Sequence, residues 1–241
     1  MKPEDFIWNG KERGWCDGCG LYVTMGATCQ AFSELKLSKK DLFLLSGIGC
    51  AGRSAGYFAI NSVQTLHGRA VPVAIGIKTI KPEAKVIVLS GDGDLLAIGL
   101  NHLLHASRRG DDIKIFCSDN ENYGMTGGQR APTTPLGRIT TTSPYGNKER
   151  PIDIKKIILA NNNFFARTTT AHPNHLKMCI KEAINHKGFA FVDIKSACPV
   201  NMGRALGLNI AQLLDYYRKN YKIVDNKKDL KDNELGIIKP K

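Results

Sequence analysis

The chain has 241 residues, 42% of them apolar, and its 34 Lys and Arg against 22 Asp and Glu give a net charge of +12. That apolar share supports a buried core and excludes general disorder, and the length fits one large domain or two small ones. No apolar run approaches the roughly 20 residues that cross a bilayer, and Met1 to Gly14 is polar and lacks the apolar core of a leader. A cytoplasmic protein without membrane contact is expected, with its seven cysteines present as thiols or metal ligands.

Along the chain, helical patterns over 22–35, 70–80, 95–108, 152–160, 173–186 and 210–218 alternate with apolar runs at 42–46, 86–90, 113–118, 164–169 and 189–194. Each run is rich in Val, Ile, Leu or Phe, as expected of strands covered on both faces. In the third helix, Leu96, Leu100, Leu103 and Leu104 form an i, i+4, i+7, i+8 stripe that suits packing on a sheet. The alternation predicts an α/β fold: a single domain over 1–218 with a mostly parallel central sheet flanked by helices. Beyond it, 219–241 reads as a Lys-rich tail with a solvated face, since its lysines alternate with acids rather than with stacking aromatics. Nucleic-acid binding is disfavoured on the same ground.

Ligands of such sheets bind at the carboxyl ends of the strands, and three of these ends are unusual. Ser46 leads into Gly47-Ile48-Gly49-Cys50-Ala51-Gly52, which matches G-x-G-x-x-G. A nicotinamide site also needs an acid about 20 residues on, and none lies between Asp41 and Glu83, so the segment reads as a glycine turn. Ser90 leads into Gly91-Asp92-Gly93-Asp94, where glycines admit a ligand close to the backbone and a helix start favours an anion. One strand–helix–strand unit separates this from Asp119-Asn120, which puts Asp92 and Asn120 at neighbouring strand ends. Together with a backbone carbonyl they can share Mg2+ with phosphate oxygens. Alone, Gly-Asp-Gly would be only a common turn.

The cysteines carry a second signal. Cys16 and Cys19 form a Cys-x-x-Cys after Trp15, Cys50 sits in the glycine turn, and Cys198 precedes a proline after the last strand. Four thiolates from three loops suit an iron–sulfur cluster or a structural zinc, and the Cys-x-x-Cys alone could be a redox pair. Cys29, Cys117 and Cys179 fall within helices or a strand and read as buried apolar thiols. Arg53, beside the first strand end, has the planar fork that binds a carboxylate. His67, in a loop, reads as structural on its own. Three classes stay open at this level: an oxidoreductase subunit, a nicotinamide-binding dehydrogenase and a zinc-stabilised nucleic-acid module.

Gly91-Asp92-Gly93 with the spaced Asn resembles the thiamine-pyrophosphate signature. With WCDGCG (15–20), GIGC (47–50), HGRA (67–70), YGMTGGQ (123–129), SPYG (143–146) and SACP (196–199), the chain resembles the beta, thiamine-binding subunits of 2-oxoacid:ferredoxin oxidoreductases. The resemblance runs from about Trp8 to Gly203 and is highly specific. It implies that Cys16, Cys19, Cys50 and Cys198 ligate a [4Fe–4S] cluster, and that Asp92, Asn120 and the backbone oxygen of Asn122 hold Mg2+. It further implies a cofactor pocket of Gly49, Cys50, His67, Gly91, Gly93, Asp94, Tyr123, Gly124, Met125 and Thr126. Arg53 and Met125 would face the substrate, with His67 and Arg53 as the catalytic pair.

The implied reaction is oxidative decarboxylation of a 2-oxoacid to acyl-coenzyme A and CO2, with electrons passing through the cluster to ferredoxin. The motif forms resemble the branch using 2-oxoglutarate or branched-chain 2-oxoacids. The forms around GRSAG (52–56) and HGRAV (67–71) favour 2-oxoglutarate over 2-oxoisovalerate or pyruvate. Many members have Pro in place of Asp17, and some have Lys in place of Gly127, which removes one possible contact to a distal carboxylate. No glutamate of this chain is identified as polarising the aminopyrimidine. The resemblance places that group on an alpha (or alpha/gamma) partner, so the chain is expected to be catalytic only within a heteromer.

Overall fold

The structure is a computed structural model that describes residues 1–225 and 227–241. Its centre is an eight-stranded sheet in the order β2-β1-β3-β4-β8-β7-β10-β9. The strands are β1 (Leu42–Ser46), β2 (Asn61–Gln64), β3 (Lys85–Gly91), β4 (Lys114–Asp119), β7 (Phe164–Thr169), β8 (Ala190–Lys195), β9 (Lys222–Ile223) and β10 (Glu234–Ile238). Those from β2 through β7 pair in parallel, and β10 runs antiparallel to β7. A separate hairpin joins β5 (Asn122–Tyr123) to β6 (Gln129–Arg130). The helices are α1 (Gly20–Glu34), α2 (Ala70–Ile80), α3 (Leu100–Arg109), α4 (Ile154–Ala160), α5 (Pro173–Asn185), α6 (Arg204–Leu206) and α7 (Ile210–Asn220).

The continuous apolar runs are explained by burial on both faces. Leu44, Leu89, Phe116 and Val192 point into one core with Phe32 and Ile184 from α1 and α5. Their neighbours Leu45, Val88, Ile115 and Phe191 enter the opposite core with Ala74, Leu103 and Ile158 from α2, α3 and α4. Side chains alternate along a strand, so the middle of a strand between two cores is apolar on both faces, and polar residues fall toward its ends.

Three readings of the sequence are corrected. The tail is part of the fold: Leu230 and Leu235 are buried, and β10 extends the sheet by pairing Gly236–Ile238 with Phe165–Arg167. Its charges are anchored as well, with Lys155 bonded to Asp229 at 2.7 Å and Lys227 bonded to Glu234. The pattern over 95–108 is not one regular helix, because a π-turn over Asp94–Ile98 precedes α3. A π-turn holds an extra residue and rotates the helix after it, so Leu103, Ala106 and Ser107 are buried while Leu104 is 41% exposed. Finally, β2 escapes periodicity because Asn-Ser-Val-Gln on an edge strand needs no apolar alternation.

At the amino ends of the strands lies a buried lysine. Lys114 bonds to Asp112 and to the carbonyls of His186 and Gly188, each at 2.6 Å, and Lys78 reaches Asp112 at 2.8 Å. Burial alone would raise the Asp112 carboxyl, but these ammonium groups outweigh it and hold it at about 2. A carboxyl depressed by folding contributes stability above its unfolded value, near pH 4, and that contribution is lost as pH falls toward 2. Asp112 is partly exposed, so solvent screening limits the effect to about 1 kcal/mol. Asp112→Asn is therefore expected to lower stability by about 1 kcal/mol at pH 7 and to flatten the loss between pH 4 and 2, as read by urea titration at each pH.

Candidate active site

The carboxyl ends of β1, β3 and β4 are neighbours, and each opens into one of the glycine- or Asn-bearing turns. Across β3 and β4 the register pairs Gly91 with Ser118, which brings Asp92 and Asn120 together. Between these ends lies a cleft of about 110 Å³, lined by Ile48, Gly49, Cys50, His67, Gly91 to Asp94, Asn120 and Asn122 to Thr126. Every cofactor-binding residue named from the sequence reaches this cleft.

Asp94 braces it. Its Oδ1 accepts the amides of Ile48 (3.0 Å) and Gly68 (2.8 Å) and lies 2.9 Å from His67 Nδ1. Its Oδ2 accepts the Ser90 hydroxyl at 2.9 Å. One carboxylate thus ties two loops to the end of β3. Gly47 is glycine because a Cβ there would collide with that carboxylate, and a Cβ on Gly52 would collide with the Gly47 carbonyl. With Gly49 at φ +108°, a conformation that favours glycine, packing and the turn together account for the G-x-G-x-x-G match.

Asp92 is buried, and Thr133 donates its hydroxyl to Oδ2 at 2.5 Å. Burial first, and the nearby Asp119 charge second, push the Asp92 carboxyl well above the usual carboxylate range. Next to it, Asn122 donates its amide N–H to Asn120 Oδ1 (3.3 Å) and its Nδ2 to the Asn120 carbonyl (2.6 Å). Asn122 Oδ1 is buried with no hydrogen-bond partner among the described residues. A buried acid, an adjacent amide pair and a bare buried oxygen form a donor set short of positive charge. Such a hard-oxygen set fits a divalent cation.

The Tyr123 ring lies against Gly93, where any Cβ would strike it, and its hydroxyl donates to the Gly93 carbonyl at 3.3 Å. Met125 is 43% exposed at the cleft mouth, and the Thr126 hydroxyl is bonded to Gln129 at 2.7 Å. Thr133, Ser90 and the pair of Asp119 with Lys195 escape sequence reading, since nothing in spacing marks a partner that only the folded sheet brings near.

The cysteine loops are stitched together beside this cleft. Trp15 Nε1 donates to the Cys50 carbonyl at 2.8 Å, and the Gly20 amide donates to the Ala197 carbonyl at 2.8 Å. Burial first, and then the charges of Cys198, Cys50 and Cys16, push the Cys19 thiol up to about 12. Burial and the charges of Cys198 and Cys16 likewise raise Cys50. These four thiols sense one another, whereas Cys29, Cys117 and Cys179 are buried elsewhere in the core. Among the described residues, no three His, Cys, Asp or Glu side chains converge as a single ion requires. Tetrahedral zinc, at about 2.3 Å from sulfur, would need thiolates about 3.8 Å apart.

Arg53 lies outside the cleft lining. Its exposed guanidinium donates to the Gly14 carbonyl at 2.8 Å, which braces the loop ahead of Cys16. Among the described residues, no helix is long and apolar enough to cross a membrane.

Residues 47–194 match the family described as thiamine pyrophosphate enzyme, C-terminal TPP binding domain. The 2-oxoglutarate synthase subunit KorB of Methanocaldococcus jannaschii is 42% identical over 224 residues, which is 92% of this chain and 83% of that protein. The 2-oxoacid:ferredoxin oxidoreductase subunit beta of Saccharolobus solfataricus is 42% identical over 80% of this chain and 63% of its own. Among solved structures, the 2-oxoglutarate:ferredoxin oxidoreductase from Magnetococcus marinus, with 2-oxoglutarate, coenzyme A and succinyl-CoA bound, superposes with a TM-score of 0.90 at 30% identity. That match covers 100% of this chain and 85% of the other. The thiamine-type cleft and the extent of these similarities lead to one conclusion: the chain belongs to the beta subunits of the 2-oxoacid:ferredoxin oxidoreductases.

Proposed function

We propose that this subunit takes part in the oxidative decarboxylation of 2-oxoglutarate to an acyl-coenzyme A, with electrons leaving through a [4Fe–4S] cluster to ferredoxin. The observation that carries this reading is the position of Cys50, which lines the thiamine-type cleft while its carbonyl accepts the Trp15 indole N–H at 2.8 Å from the loop that carries Cys16 and Cys19. A cluster held by Cys16, Cys19, Cys50 and Cys198 would abut the cofactor. Its corners hold thiolates farther apart than a single zinc does, in keeping with cysteines that, among the described residues, do not converge on one point.

Thiamine pyrophosphate supplies, when bound, the carbon nucleophile and the sink for the electron pair released with CO2. The work of this chain is to bind and orient. Asp92, Asn120 and Asn122 would hold Mg2+ against the diphosphate, with Gly91 and Gly93 allowing its close approach. Asp94 fixes His67 and the 47–48 and 67–68 backbone around it. Among the described residues, the cleft lining contains no glutamate, which supports a partner subunit as the source of the group that polarises the aminopyrimidine. Gly127 brings no charge, so the distal carboxylate of 2-oxoglutarate would meet its cation outside this loop.

The choice of substrate rests on the names of the similar proteins, several of which are 2-oxoglutarate enzymes. The native complex, assayed anaerobically for coenzyme A-dependent ferredoxin reduction, is expected to show a kcat/KM for 2-oxoglutarate about tenfold or more above 2-oxoisovalerate and pyruvate. That margin is about 1.4 kcal/mol of transition-state discrimination. A higher value for either competitor would overturn the substrate.

A further inference from the structure

The turn that carries Asn120 and Asn122 is strained at its centre. Glu121 has φ +60°, a left-handed conformation that side-chain-bearing residues rarely adopt. Such a residue persists only where its surroundings over-determine it. The Asp119 Oδ1 accepts the Glu121 amide at 3.1 Å, and the Thr134 hydroxyl donates to the Glu121 carbonyl at 2.6 Å. The Glu121 carboxylate lies 3.3 Å from Arg138 and 4.0 Å from Lys195.

Lys195 stands at the end of β8, in register with Asp119. Its Nζ bonds to Asp119 Oδ2, the oxygen that does not hold the turn. The Ser196 amide adds a bond to the Asp119 carbonyl at 2.8 Å. An ammonium fixed on a core strand therefore holds the acid that in turn holds the strained amide. Lys195 does not line the cleft and bonds to neither Asp92 nor the two asparagines, although its charge reaches Asp92 and favours the carboxylate there.

We propose that Lys195 is a positioning residue for the metal-binding turn, acting through Asp119 to keep Glu121 left-handed and so to aim the oxygens of Asn120 and Asn122. This rests on the reading of Asp92, Asn120 and Asn122 as the Mg2+ site. Partners of metal ligands commonly alter metal affinity by about 10- to 100-fold when removed. Release of Asp119 would let Glu121 relax to negative φ and swing Asn122 away from Asn120.

The test uses the full chain produced with its partner subunit, with Mg2+ titrated calorimetrically in the presence of thiamine pyrophosphate. Lys195→Met is expected to weaken Mg2+ by about 10- to 100-fold with an unchanged far-ultraviolet circular dichroism spectrum. Adding Glu121→Gly should restore most of that affinity, because glycine adopts φ +60° without steric cost. A purely stabilising lysine would show no such recovery. If Lys195→Met does not fold, Asp119→Ala applies the same test from the other end and leaves Lys195 beside Glu121. Unchanged Mg2+ affinity in these variants, or a loss that Glu121→Gly does not reverse, overturns the proposal. Should Asp92→Ala also keep full Mg2+ affinity, the metal site itself falls and the proposal with it; loss in Asp92→Ala alone condemns only Lys195.

Discussion

Asp92→Ala is expected to weaken thiamine pyrophosphate in the presence of Mg2+ by about 30- to 5,000-fold. The range corresponds to the roughly 2–5 kcal/mol seen when one partner of a buried charged pair is truncated. Asp92 is buried at the end of β3 and held by Thr133, so its removal leaves a fixed and dry position where the cation has lost its one charged protein ligand. Asn120→Ala should cost about tenfold or less, since a neutral oxygen contributes about 0.5–1.5 kcal/mol. Calorimetry on the purified complex separates the two. Equal affinity in Asp92→Ala and the parent would remove the diphosphate from this end of the sheet.

Replacement of Cys198 by serine is expected to lower the iron of the anaerobically purified complex by about four atoms per beta chain, the content of one [4Fe–4S] cluster. Cys16→Ser should do the same. Cys29→Ser and Cys179→Ser should keep full iron, because those thiols are enclosed in the core against α1 and α5. The contrast lies in placement and not in acidity, since burial raises the Cys29 thiol to about 12 as well. The Cys19 thiol, pushed to about 12 by burial and by its three neighbours, becomes a thiolate at neutral pH only if iron compensates the charge. Iron analysis and the visible spectrum report the result directly. Full iron in Cys198→Ser would refute the ligand set.

The strands at Leu42–Ser46 and Phe164–Thr169 and the helix at Ala70–Ile80 were legible, because short apolar runs lead each strand and the apolar run of 70–77 is too long for one. The candidate cleft was legible for a related reason: Gly91-Asp92-Gly93, Asn120 and Cys50, which line it, stand in short local motifs at strand ends. The tail misled, since the charge of its lysines outweighs the few apolar residues of β10, and pairing with Phe165–Arg167 depends on a strand far away in sequence. The direction of Arg53 was not legible either, as its proximity to Cys50 in the chain does not fix which way a flexible guanidinium turns, and it turns to Gly14.

What the sequence determined by itself was therefore the alternation of elements, the convergence of the ends of β1, β3 and β4 on one candidate cleft, and the polar atoms present there. Only the tertiary structure decided which groups hold those donors in place. Asp94 closes on the 47–48 and 67–68 turns, and Lys195 reaches Asp119 across the β4–β8 register. Local periodicity records what each residue must avoid or bury over a few positions. Bonds between residues dozens of positions apart depend on strand order and register, which arise only when the whole sheet packs.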